Sequence, residues 1–156
     1  MLWDESVDNL ILGGSATLIA NREFTITGDT DGEYSGDVVY FGGTDDMIIG
    51  TIYHYTSSGT WEVADADAVA NCDGLLAVAL GGSSDTNGML LRGMVTLDHD
   101  PGAVGDVLFL STTAGDATAT APSGNGDIIR VIGYCLHASD GNIWFDPDKT
   151  YVEVSA

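Results

Sequence analysis

The triplet Asp98-His99-Asp100 sets an imidazole between two carboxylates, a combination that acid–base catalysis and metal ligation both use. Its spacing argues against either use. Alternate residues of a strand point to opposite faces, so in a regular strand His99 would touch neither neighbour. Pro101-Gly102 follows and predicts a turn in which all three side chains face water. A Ser-His-Asp arrangement needs a serine on a sharp strand-to-helix turn, and the sequence has no G-x-S-x-G elbow. The other two histidines read as packing or surface groups: His54 lies between Tyr53 and Tyr55, and His137 closes a strand-like run. No catalytic residue is expected, and the chain is read as a non-enzyme.

Asp29-Thr30-Asp31-Gly32-Glu33 has the oxygen density and the glycine that calcium loops favour. It lacks the third acidic position and the distant Glu of an EF-hand, so Asp29, Asp31 and Glu33 are candidate ligands of a weakly bound Ca²⁺ only. Asp45-Asp46 and Asp146-Pro147-Asp148 are similar acidic corners. No other cofactor is expected. Gly81-Gly82-Ser83-Ser84 and Gly124-Asn125-Gly126 lack a Walker lysine, and no Cys/His spacing suits zinc. Cys72 and Cys135 read as separate buried or idle thiols, with pairing left open. Abundant carboxylates leave a glycan-active enzyme as the remotest alternative, since folding could bring two together.

These residues must be positioned by short strands. Period-two patterns broken by Gly and Asp clusters run through the chain: Ala16 to Ala20, Arg22 to Thr27, Asp37 to Phe41, Ile48 to Tyr55 and Trp61 to Ala64. Leu75 to Leu80 is continuously apolar, as in a strand buried on both faces. Met89 to Leu97, Val107 to Leu110, Ala117 to Thr120, Ile128 to Leu136, Ile143 to Phe145 and Tyr151 to Val154 complete the series. Only Asp65 to Asn71 reads as helical, for one or two turns with Asp65 as its N-cap. The fold class expected is all-β, a compact β-barrel or β-sandwich. Residues 1–30 are too poor in apolar side chains to close a core and read as an extended N-terminal arm; residues 31–156 form the β-rich domain. Trp3, Leu10, Ile11 and Leu12 would then need a partner surface.

Charge limits the partners. Twenty-four acidic residues face four basic ones, Arg22, Arg92, Arg130 and Lys149, for a formal net charge of −20. Nucleic-acid and anionic-membrane surfaces need clustered Lys and Arg, so neither partner is expected. Self-repulsion costs stability at low salt, and screening relieves it. Met1-Leu2-Trp3-Asp4-Glu5 carries neither the basic nor the apolar region of a secretory signal.

Several segments together carry a resemblance. Gly74-Leu75-Leu76-Ala77-Val78-Ala79-Leu80-Gly81 and Gly88-Met89-Leu90-Leu91-Arg92-Gly93 lead into Gly105-Asp106-Val107-Leu108-Phe109-Leu110-Ser111-Thr112-Thr113-Ala114-Gly115. Thr120-Ala121-Pro122-Ser123-Gly124-Asn125-Gly126-Asp127 and Ile143-Trp144-Phe145-Asp146-Pro147-Asp148 follow. This order resembles modules of tailed-bacteriophage structural proteins, including small capsid-decoration (cement) proteins. Leu2-Trp3-Asp4-Glu5-Ser6 and Leu10-Ile11-Leu12-Gly13-Gly14-Ser15 are similar to segments preceding such modules in tail fibres. The resemblance implies a virion component, usually trimeric, on the outer surface of the head or alternatively on the tail. It implies the major capsid protein among its partners and no catalytic residues. Arg92 and Arg130 each interrupt an apolar run, so each is expected to snorkel to the surface or pair with a carboxylate, within the chain or, in the assembly setting, as an oligomer-interface residue across a subunit boundary. The expectation is a capsid-decoration protein stabilising the head through trimer and inter-capsomer contacts; the alternative is a tail-fibre or spike module binding a host receptor.

Overall fold

The computed structural model describes residues 23–26 and 28–155, together with the backbone of two short N-terminal strands. Those strands, β1 (Leu2–Asp4) and β2 (Asn9–Ile11), pair antiparallel in the register Leu2↔Ile11, Trp3↔Leu10, Asp4↔Asn9. Within the expected N-terminal arm, these two strands pair with each other. The strand expected over Ala16 to Ala20 lies outside the described residues, and residues 23–26 are not a strand.

The rest is all-β. In chain order the strands are β3 (Tyr34–Val39), β4 (Ile52–Tyr55), β5 (Trp61–Val63), β6 (Leu76–Ala79), β7 (Met89–Thr96) and β8 (Val107–Leu110). They continue with β9 (Ala117–Thr118), β10 (Ile128–Ile129), β11 (Val131–Cys135), β12 (Asn142–Phe145) and β13 (Val152–Glu153). Nine of them make one antiparallel sheet in the order β5-β4-β6-β7-β12-β11-β8-β9, with β3 also paired to β7; β10 and β13 pair separately. The sheet curls into a half-barrel. Its open edges meet through the turn before β9, where the Ile52 N–H donates to Gly115 O (2.9 Å) and the Gly115 N–H to Ala64 O (2.7 Å). Gly115 has φ +87° and a Cβ there would overlap Thr51, so this junction requires glycine.

The concave face holds the core. Ile52, Val78, Leu90, Val95, Leu108, Ile132, Ile143 and Phe145 are fully buried there, and each such side chain contributes about 1.5–3 kcal/mol. A smaller cluster, with Tyr53, Trp61, Ala77, Ala79 and Met89, lies on the outer face of β4–β7 beneath Phe41 and Met47. It is tied down by the Trp61 indole N–H donating to Phe41 O (2.8 Å). Covered on both sides, β6 is buried at all four positions, whereas Leu75, first residue of the expected Leu75–Leu80 strand, lies outside it and is exposed.

Several expected elements differ, among them β3, which spans Tyr34–Val39 where Asp37 to Phe41 is expected. Ile48 to Thr51 is a turn around Gly50, φ +80°, so β4 begins only at Ile52. The helix over 65–71 shrinks to a 3₁₀ turn at Val69–Asn71; the Asp65 carboxylate accepts from the Asp67 N–H (3.0 Å) in a local turn that competes with helix. The Ile128 to Leu136 run breaks at Arg130, which turns inward. The expected boundary near residue 30 is bridged as well: Phe24 packs edge-on against Trp144 at 5.3 Å and the Asn142 amide donates to Gly28 O (3.2 Å).

Candidate functional site

The carboxylates that the sequence singles out converge at the end of β7. The Leu97 N–H donates to Gly141 O (2.9 Å), the Gly141 N–H to Asp100 Oδ1 (3.0 Å) and the Gly32 N–H to Thr96 O (2.9 Å). Three turns are thereby fastened around one polar cavity of about 230 Å³ lined by Asp29, Asp31, Asp98, His99, Asp100 and Asp140. Two of the candidate cation ligands, Asp29 and Asp31, thus face the histidine triplet; Glu33 does not line the cavity. Their shared position comes from long-range pairing of β3 with β7, which local sequence cannot display.

His99 is held, not freely solvated. Its Nδ1 lies 2.8 Å from Asp98 Oδ1 and 3.7 Å from Asp116 Oδ1, and its Nε2 accepts the Ala117 N–H at 2.9 Å. An amide proton aimed at Nε2 makes that nitrogen the acceptor, so the neutral ring carries its proton on Nδ1 and donates it to Asp98. Asp98, His99 and Asp116 stand close enough to surround an ion. Ligation through Nδ1 would move the proton to Nε2, against the Ala117 N–H, so the hydrogen bonds oppose it. A nucleophilic triad is opposed too. The Thr51 hydroxyl donates to Asp98 Oδ2 (3.1 Å), while the His99 ring is bonded to the other oxygen, Oδ1. His99 therefore clasps the β7 turn to β9, a correction to the expectation that it merely faces water.

His54 is buried, and its Nδ1 lies 3.8 Å from Asp73 Oδ1 without a hydrogen-bond partner. His137 Nδ1 pairs with Asp140 at 2.9 Å on the surface. Cys72 and Cys135 are both free and buried. Burial pushes the Cys72 thiol up to about 11, against a smaller opposing pull from Arg130, and also raises Cys135.

Arg130 is a correction. It neither snorkels nor pairs with a carboxylate: its guanidinium donates to Asp148 O (2.8 Å), Cys72 O (2.6 Å) and Gly74 O (2.8 Å) within the chain. Arg92 is exposed, pairs with Asp146 at 3.1 Å and lies over the Trp144 ring at 5.5 Å. Of the four apolar interface candidates, Trp3, Leu10 and Ile11 lie in the β1–β2 hairpin, and Leu12 lies outside the described residues.

Sequence reasoning missed the outer face. Val107 pairs with Tyr134, Tyr134 with Trp144 and Trp144 with Met94, so four apolar side chains stand in one row across β8, β11, β12 and β7. Directly opposite residues share a face, and the neighbours Leu108, Cys135, Ile143 and Val95 point into the core, so the row points outward. Tyr134 is 49% exposed and Val107 39%. The signal available was alternation itself: Tyr134 and Trp144 occupy the outward positions of apolar runs.

No protein-family model matches the chain, and neither the curated proteins nor the solved structures contain a match. Among the described residues, no helix is long and apolar enough to cross a membrane.

Proposed function

We propose that the chain is a structural protein of a tailed-phage virion, a capsid-decoration protein that works by binding neighbouring subunits. The observation that carries the assembly part is the outward row Val107–Tyr134–Trp144–Met94. An aromatic-centred apolar strip is costly on a surface that carries a net −20 charge for solubility, and such strips mark protein interfaces. The resemblance of segments between residues 74 and 148 to phage modules supplies the virion setting, and the trimer with it. Antibody labelling of purified particles tests this reading. Label over the whole head supports decoration; label confined to the tail moves the protein to the fibre or spike class; particles without label overturn the virion reading. Tyr134→Asp is the companion test, expected to lower the oligomer mass in light scattering without unfolding the domain.

A further inference from the structure

In a chain with four permanent cations, three line one cavity. Arg92, Arg130 and Lys149 meet Leu75, Leu76 and Leu91 around a space of about 230 Å³. The cavity follows from β7. That strand pairs with β3 along its length, while its other edge is shared, by β6 at Met89–Leu90 and by β12 from Gly93 onward. Between them the partners fork. The β3 register also slips there, Asp37 opposing Arg92 and Val38 opposing Leu90, so Leu91 is an inserted bulge residue. The bulge sets Leu91 and Arg92 side by side on the outer face, an aliphatic wall next to a cation.

The cavity is positive in an acidic molecule. Its lining carries three cations and one carboxylate, Asp146, which Arg92 engages. Arg130 is bound by carbonyl oxygens, and among the described residues no carboxylate is within ion-pair distance of Arg130 or Lys149. A guanidinium keeps its charge under burial, so Arg130 presents a full positive charge beside the cavity, tempered by the nearby carboxylates of Asp73 and Asp148. The complementary ligand bears a carboxylate beside an aliphatic or aromatic group.

We propose that the cavity receives the acidic, apolar segment Leu2-Trp3-Asp4-Glu5 of a second copy of the chain, which makes it the receiving half of the assembly contact and rests on the assembly reading above. The segment carries two negative charges next to two large apolar residues. Strand periodicity sets positions 2 and 4 on one face about 7 Å apart, which pairs an aliphatic residue with a carboxylate, the combination the cavity's leucines and cations complement.

Charge swaps on the full chain, read as oligomer mass and Kd by sedimentation, test it. Lys149→Glu is expected to weaken association about tenfold. The Asp4→Lys/Glu5→Lys double variant is the sharper arm. Each substitution adds two charges, moving the net from −20 to −16, so general self-repulsion would predict tighter association and the docked segment predicts weaker. Combining Lys149→Glu with Asp4→Lys/Glu5→Lys is expected to restore much of the loss. A monomeric wild type, or a Kd unmoved by Lys149→Glu, overturns the proposal. If Tyr134→Asp still dissociates the oligomer in that second case, the assembly reading stands and only this docking site falls.

Discussion

Replacing Arg130 by Met isolates what its guanidinium does. Methionine keeps much of the length and apolar stem but removes every donor. Three carbonyls then lose charge-assisted bonds of 2.6 to 2.8 Å: Cys72 O, where the contact is buried, and Gly74 O and Asp148 O, where water has partial access. An unsatisfied buried carbonyl costs about 1–3 kcal/mol. Taking about 2 kcal/mol for Cys72 O and about 1 kcal/mol for each wetter group gives a gross loss near 4 kcal/mol. Burial lowers the arginine's pKa, which means the folded protein works against its charge, and relief of that cost offsets part of the loss. The expected net loss is about 3 kcal/mol, or roughly 6–12 °C in Tm for a chain of this length.

Urea unfolding followed by tryptophan fluorescence measures this, since Trp61 and Trp144 sit on opposite halves of the sheet. Arg130→Lys sharpens the reasoning. It keeps the charge but replaces a three-way fork by one compact ammonium, so it should recover only part of the loss. Arg130→Met within about 0.5 kcal/mol of the wild type would refute the account, because surface substitutions move stability by that much. A lysine variant equal to arginine would show that charge alone, without the fork, holds the 72–74 turn to the 148 loop.

Two further outcomes follow from charge and burial. Tm rises with NaCl as self-repulsion is screened, and rises more per mole with CaCl₂ through the Asp29–Asp31–Asp98–Asp100–Asp140 cavity; the calcium excess disappears in Asp29→Asn/Asp31→Asn, and a Tm flat in both salts refutes it. Native Cys72 ionises near pH 11 and resists iodoacetamide at pH 8. Its folded value lies above the ordinary 9.0, so its contribution to stability is full below pH 9 and lost as pH rises through 11; Cys72→Ala removes that slope, and alkylation of the native protein at free-thiol rate refutes the burial argument.

The strands were legible wherever a run of residues has its environment imposed on every position. Val107–Leu110 is found with the bounds its apolar run predicts, and Leu76–Ala79 is buried throughout, while Leu75 at the head of the expected Leu75–Leu80 strand is exposed. The failures share a cause. Asp65 competes for backbone N–H groups and prevents the helix, Gly50 turns the chain before β4, and Arg130 leaves its strand for three carbonyls. In each case one side chain or one positive φ overrides a pattern summed over many residues. The acidic cavity was half legible. Asp29, Asp31 and the Asp98–Asp100 triplet were visible separately, but only the pairing of β3 with β7 brings them together.

The same strand explains why the outer face divides as it does. Before the bulge, Leu90 points to the core and Met89 to the smaller outer cluster; after it, Val95 points to the core and Met94 outward. Without Leu91 inserted, residues five apart could not both face inward, and either Leu90 or Val95 would be exposed. The bulge therefore lets one strand serve two differently covered halves: β4–β6–β7 roofed by residues 39–47, and β7–β12–β11–β8, where Phe24 and Arg92 cover Trp144 and leave Tyr134 and Val107 exposed. Arg92, the first residue past the insertion, stands at the border with its guanidinium over Trp144. The apolar row and the cationic cavity are thus neighbours by construction, joined at Arg92, which lines the cavity and lies over Trp144 of the row.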